Sequence, residues 1–169
     1  MKILVSLLLA FSISYFFPDA PRVNPGEPLI IVNKANNKLA FIQGNKVQKV
    51  VSAGTGRSNE LTPEGFFTVK VKAVNPYFRK QNIPGGDPRN PLGTRWIGFD
   101  ALGTDGRIYG IHGTNQPWTV GRYISNGCVR LQNKDVERLY AKVKIGTKVL
   151  ITRSNKSFEL MAREYGAIK

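Results

Sequence analysis

The sequence predicts a mainly β domain with one embedded helix, and three observations carry that reading. Short apolar runs recur between residues 29 and 152, each bounded by Gly, Asn, Asp or Pro. One segment, Asn133 to Val143, reads clearly as a helix, with apolar residues at helical spacing and acidic residues in its first turn. The chain has 169 residues, 41% of them hydrophobic, which suits a single folded domain with a sizeable core.

In chain order, LIIVN (29–33) and KLAFIQ (38–43) flank Asn36-Asn37, a turn signal because Asn tolerates positive φ. KVQKVVSAG (46–54) follows Gly44-Asn45, so the three runs read as two hairpins. GFFTVKVKAV (65–74) alternates Phe67, Val69, Val71 and Ala73 against Phe66, Thr68, Lys70 and Lys72, the pattern of a half-buried strand. TRWIGFD (94–100) and RIYGIHG (107–113) form another hairpin about a Thr-Asp-Gly turn. Residues 75–93 hold four prolines and three glycines, so no regular strand or helix is expected there. A loop of that length in a compact domain is functional or disordered. Tyr77 and Phe78 argue that it packs on something, and the readings are a lid, a groove wall or a plain connection. Asn133 is the expected N-cap of a helix over 134–143, with Val136, Leu139, Tyr140 and Val143 as its apolar stripe. GTKVLITR (146–153) reads as a closing strand, and SFELMAREYGAIK (157–169) is compatible with a terminal helix.

The organisation that follows is a leader over 1–20, a linker over 21–27, a main domain over 28–153 and a C-terminal extension over 154–169. The leader's apolar run, Ile3 to Phe17, is short for the roughly 20 residues of a membrane span and suits the core of a signal peptide. A cut after Ala20 would leave Pro21 at the new N-terminus, so an uncleaved N-terminal anchor is the other reading. Both export the rest of the chain. Lys plus Arg number 25 against 11 acidic residues, a net charge of +14 that attracts polyanions. On an exported chain the expected polyanion is an anionic cell-wall polymer, not nucleic acid.

His112 and Cys128 are the only residues of their types, and both lie in IHGTNQPWTVGRYISNGCVRLQN (111–133). A lone cysteine on an exported chain is an inert buried thiol, an intermolecular bridge or a reactive group. A reactive thiol needs a base, and His112 is the one imidazole available. The Gly- and Pro-bearing spacer can loop back to join them. Gly127 permits a sharp turn before Cys128 that can aim backbone N–H groups at a developing oxyanion. The second imidazole nitrogen needs an acceptor, and no Asp or Asn adjoins His112, which leaves a backbone carbonyl such as that of Gly113. One His and one Cys do not complete a zinc site.

The run His112-Gly113, a spacer, then Ser125-x-Gly127-Cys128-Val129-Arg130 resembles the signature of the L,D-transpeptidase catalytic domain, or YkuD family. GTGRSNELTPEGFFTV (54–69), IPGGDPRNPLGTRWIGF (83–99) and IYGIHGTN (108–115) fit the same family, so the resemblance covers about residues 28–152. Asn126 departs from the histidine that many members carry there, a position distinct from the base. The resemblance implies a β-sandwich-like domain and an exported, cofactor-free peptidoglycan enzyme. Cys128 would be the nucleophile and His112 the base and acid, oriented by the Gly113 carbonyl. Backbone N–H groups of Gly127, Cys128 and Asn126 would form the oxyanion hole. Arg130 would fix the loop or bind a substrate carboxylate. The implied partners are a donor tetrapeptide stem and an acceptor amine. Trp118 and Tyr123, between the two catalytic candidates, are expected to line the stem groove or to pack, and Ser125 to brace the turn or touch substrate. With water as acceptor the same site gives an L,D-carboxypeptidase. A non-catalytic wall-binding domain would leave the His and Cys pair unexplained. A papain-like protease is disfavoured, because there the cysteine precedes its histidine.

Overall fold

In a computed structural model, which describes residues 21–169, ten strands and two α-helices form. The expected leader lies outside the described residues. Strands β1 (Leu29–Asn33), β2 (Lys38–Gln43) and β3 (Lys46–Ser52) make an antiparallel meander. Asn45, at φ 61, and Gly44, at φ 62, turn the second hairpin. β4 (Thr55–Gly56) and β8 (Tyr123–Ser125) pair in parallel as a separate two-stranded sheet. β5 (Gly65–Val74), β6 (Arg95–Phe99), β7 (Tyr109–His112), β9 (Val129–Arg130) and β10 (Lys148–Thr152) complete an eight-stranded mixed sheet in the order β3-β2-β1-β10-β5-β6-β7-β9. Helix α1 (Asn133–Lys142) follows β9, and α2 (Phe158–Glu164) follows β10.

The sheet curls about β5. Its first residues pair with β10 and its last with β6, so it serves both halves. The main core is therefore shared: Ile30, Val32, Leu39 and Phe41 from one half meet Ile97, Phe99, Ile111 and Val129 from the other, with Val136 and Leu139 of α1 and Val143 just after it between them. That is the expected mainly β, sandwich-like arrangement. The opposite face of β1, β2 and β10 is covered by α2, through Leu29, Ile31, Ala40, Ile42, Leu150, Met161 and Ala162. Residues 21–27 join that layer, with Val23 N–H donating to the Tyr165 carbonyl and Gly26 N–H to the Ala167 carbonyl.

Four local expectations change. The alternation in β5 does not persist, because its register shifts between Val69 and Val71. A bulge adds one residue and swaps the faces beyond it. Lys72 then stands opposite Ile97 on the α1 side, and Val71 stands opposite Gly98 on the other. Phe66, read as outward-facing, packs with Tyr165 in the α2 layer. Asn133 is not the N-cap of α1: Gln132 holds that place, without a side-chain bond. Asn133 Oδ1 instead accepts from the N–H groups of Thr94 and Thr114. Residues 75–93 are not wholly irregular. They hold one 3-10 turn, Arg79–Gln81, and buried Asn90 ties the loop by donating to the Pro76 and Pro84 carbonyls and accepting from Leu92 N–H.

Candidate active site

The site stands on the sheet face that the core does not use. β7 pairs with β9 in parallel, Ile111 opposite Val129 and His112 opposite Arg130. On its other side β7 pairs with β6, Trp96 opposite His112 and Gly98 opposite Gly110. Neighbouring side chains in a strand point to opposite faces. Ile97, Phe99, Ile111 and Val129 point into the core. Trp96, His112 and Arg130 are thereby sent to the other side, with Cys128 two residues before Arg130. The β7–β9 pairing thus closes the spacer and brings the lone histidine and lone cysteine to one surface.

Trp96 is the floor of the site. Its indole stacks on the imidazole of His112, centroids 5.6 Å apart and planes 17° from parallel. Its Nε1–H donates to the Gly106 carbonyl at 2.9 Å. A Cβ on Gly110 would lie 2.6 Å from the indole ring, so only glycine lets the ring lie flat there. His112 is itself buried, 4% exposed. Its Nδ1 is 2.6 Å from the Gly113 carbonyl. A carbonyl can only accept, so Nδ1 carries the hydrogen and Nε2 keeps its lone pair. Burial pushes the imidazole down to about 4, helped by the charge of Arg130, while backbone bonds at Gly113 and Leu92 pull the other way.

Cys128 is partly exposed. Burial of its sulfur pushes the thiol above the usual cysteine value. The backbone of Gly110 and the charges of Arg130 and Lys80 oppose this in that order. Lys80 lies in the 3-10 turn of the 75–93 loop, and Leu92 lies at the loop's end. Both residues thus act electrostatically on the two candidates. Both shifts favour the uncharged forms of the two groups. The thiol donates to the Ile108 carbonyl at 3.5 Å.

The turn before Cys128 depends on Gly127, whose φ of 132° is unsuited to other residues. Ser125 braces it: the hydroxyl accepts from Gly127 N–H at 3.1 Å and donates to the Cys128 carbonyl at 2.6 Å. That corrects two expectations. Ser125 is buried and its hydroxyl is engaged within the turn, so it does not face substrate. Gly127 N–H is already bound to Ser125, so it is not a free oxyanion donor. The N–H groups of Asn126 and Cys128 make no hydrogen bond among the described residues, and Asn126 is exposed. Arg130 Nε is buried without a partner, and Arg130 forms no ion pair among the described residues.

Tyr123 and Trp118 differ from the rest. Tyr123 is tied elsewhere, its hydroxyl donating to the Lys34 carbonyl at 2.7 Å. Trp118 is 63% exposed, which overturns packing as its role. No hydrogen bond or ring contact links either to Cys128 or His112 among the described residues. Trp96, Gly110 and Asn133 were not singled out as site residues from sequence. The signal was present for the first two, since Trp96, His112 and Gly110 share the parity of the β6–β7 hairpin. An apolar cleft lies elsewhere, between the β2–β3 hairpin and α1. It is lined by Leu39, Phe41, Val51 and Leu139 with Lys49 and Arg138 at its rim, and it contains no nucleophile. The partly exposed thiol, not that cleft, marks the chemistry. Among the described residues no cluster of three His, Cys, Asp or Glu is placed to hold a metal.

The site thus presents an imidazole from the end of β7 and a thiol from the residue just before its parallel neighbour β9, and comparison with known proteins places that arrangement in a family. The model of the L,D-transpeptidase catalytic domain, YkuD, matches residues 27–151. The protein YqjB of Bacillus subtilis, whose name assigns it provisionally to the L,D-transpeptidases, is 56% identical over 156 residues, covering 92% of this chain and 89% of its own. YkuD of the same organism is 34% identical over 124 residues, with 73% of this chain and 65% of YkuD covered. The catalytic domain of the Enterococcus faecium L,D-transpeptidase shares the fold with a TM-score of 0.57 at 23% identity, over 75% of this chain and 97% of that one. An L,D-transpeptidase from Mycobacterium tuberculosis matches with a TM-score of 0.59 at 19% identity, over 73% of this chain and 57% of that one. The chain belongs to the L,D-transpeptidase catalytic domain family.

Proposed function

We propose that the protein is an L,D-transpeptidase that cross-links peptidoglycan stems through a thioester on Cys128. The observation that carries this reading is the placement of Cys128 and His112 on one face, with the Nδ1 of His112 held by a carbonyl so that Nε2 is the base. The thiol leaves the Ile108 carbonyl and attacks the amide between the L-centre of a diamino acid and the terminal D-alanine of a tetrapeptide stem. Its proton passes to Nε2 of His112, and the oxyanion is met by the free N–H groups of Cys128 and Asn126. The tetrahedral species collapses, the imidazolium protonates the departing amine of D-alanine, and a thioester remains. An amine of a second stem attacks the thioester, its proton goes to His112, and the thiolate is expelled and reprotonated. Arg130, cationic, unpaired and near both groups, is suited to the carboxylate of the stem.

The site also fits work outside the cytoplasmic membrane. The apolar run Ile3–Phe17 and the net charge of +14 support an exported, wall-associated enzyme. Incubation of the purified protein with a disaccharide-tetrapeptide, with products read by mass spectrometry, tests the reaction. Release of D-alanine with a cross-linked dimer is the expected result. Release without dimer would make the enzyme an L,D-carboxypeptidase. No release across stems carrying different diamino acids would overturn the catalytic reading.

A further inference from the structure

We infer that Asn133 is the positioning residue for the base, holding the two backbone segments that flank the imidazole of His112 so that Nδ1 keeps its hydrogen and Nε2 faces the thiol. This rests on the reading of His112 as the base. Asn133 begins α1, five residues after Cys128. Its Oδ1 accepts from Thr114 N–H at 3.1 Å and from Thr94 N–H at 3.3 Å. Those residues follow Gly113, whose carbonyl binds Nδ1 of His112, and Leu92-Gly93, whose backbone also acts on the imidazole. One side-chain oxygen therefore ties the segment whose carbonyl binds the ring to the segment that follows Leu92-Gly93.

The glycines record how tightly it does so. A Cβ on Gly93 would lie 2.2 Å from Asn133 Oδ1, and one on Gly113 would lie 2.1 Å from it. Neither position tolerates a side chain while the amide is in place. The recorded hydrogen bonds of the Asn133 side chain run to those two segments and not to α1. Asn133 thus fills a task that an acidic or amide residue performs by direct contact in other nucleophile–histidine sites. Here the contact is indirect, through the Gly113 carbonyl. The free imidazole, released from that carbonyl, redistributes its hydrogen between the two nitrogens. A hydrogen on Nε2 blocks it from taking the thiol proton.

His112 is the only histidine, so selective ¹⁵N labelling of histidine gives a single imidazole whose tautomer is read directly by NMR. The wild-type protein is expected to show hydrogen on Nδ1. Asn133→Ala is expected to move population to the Nε2–H form and to lower kcat/KM by on the order of 10–100-fold, part of the 10²–10⁴ that a general base supplies. Asn133→Asp keeps the acceptor oxygen and is expected to retain the Nδ1–H form. It is also expected to raise the imidazole above its value of about 4, because a carboxylate then lies near it. If Asn133→Ala does not fold, Asn133→Ser, which shortens the side chain out of reach, gives the same reading. An unchanged tautomer in a folded Asn133→Ala or Asn133→Ser would overturn the inference. The spectrum is taken on the free protein, so it is independent of whether the wild-type enzyme cross-links, hydrolyses or does neither.

Discussion

At Cys128 and His112 opposing influences act on each proton, and burial outweighs the rest in both cases. The consequence is that both shifts favour the uncharged forms, with the thiol above its usual range and the imidazole near 4. The rate of alkylation of Cys128 by iodoacetamide is therefore expected to rise with pH through a midpoint above the roughly 8.5 of a free cysteine. A midpoint below neutrality would instead mean a preformed thiolate–imidazolium pair. For the reaction itself the sign runs the other way. His112 must be uncharged to take the thiol proton, and it is uncharged above about 4. The acid limb of kcat/KM is thus expected near pH 4, well below the 6.5 of an ordinary histidine, and a limb near 6.5 would contradict the burial argument. Ser125 belongs to the same scale. Its hydroxyl holds the turn that aims Cys128, so Ser125→Ala is expected to lower kcat by about tenfold or more, because small misplacements of a nucleophile are costly. An unchanged kcat would mean that Gly127 alone sets the turn.

Among the elements, the β5 bulge has the widest consequences. It turns Lys72 inward, where its Nζ donates to the carbonyls of Tyr140 at 2.7 Å and Val143 at 2.5 Å and lies 4.0 Å from the Tyr140 ring. A cation on the last carbonyls of a helix satisfies acceptors that the helix cannot. Lys72→Met is expected to cost about 1–2 kcal/mol in denaturant unfolding, and no loss would show that water replaces the ammonium. The strands themselves were legible because their boundaries are set by local turn chemistry: Gly44-Asn45 ends β2, and the ten residues of β5 match the run in the sequence. Which face each residue takes was not legible past Val69, since a bulge leaves no mark in the alternation. Lys34 was not legible either. It sits in a turn that reads as exposed, yet it is 1% exposed, donating to the Asn59 carbonyl and pairing with Glu64 at 3.2 Å. The site divides in the same way. Cys128, His112 and Gly113 are found by residue type and spacing, whereas Asn133 looks like a helix cap in any sequence, and only the tertiary contact with Thr94 and Thr114 separates the two roles.

For the whole molecule, the second layer and the charge matter most. α2 covers the face of β1, β2 and β10 away from the site, with Met161 2% exposed within it. Met161→Ala is expected to destabilise the fold by about 2–5 kcal/mol and to leave the acid limb of the rate profile in place, because the two faces share the sheet but not the site. The buried histidine adds a pH dependence to stability. The folded state binds this proton less tightly than the unfolded chain, so the contribution is complete above about pH 6.5 and is lost as pH falls towards 4. The fall from 6.5 to about 4 corresponds to about 3 kcal/mol, at about 1.4 kcal/mol for each tenfold change in proton affinity. Melting temperatures measured between pH 4 and 7 are expected to slope less in His112→Gln than in the wild type. Equal slopes would mean that the imidazole is wet. The net charge of +14 is expected to hold the protein on anionic wall polymers in a salt-dependent way, and elution that ignores ionic strength would argue for another attachment.

The central claim is that Cys128 carries the acyl group. Intact-mass measurement of the protein during turnover of a tetrapeptide stem tests it most directly. The wild type is expected to gain the mass of the donor less D-alanine, and Cys128→Ala to gain nothing and release no D-alanine. An adduct or D-alanine release that persists in Cys128→Ala would contradict the account, as would turnover by the wild type with no acyl-enzyme formed even under rapid quenching.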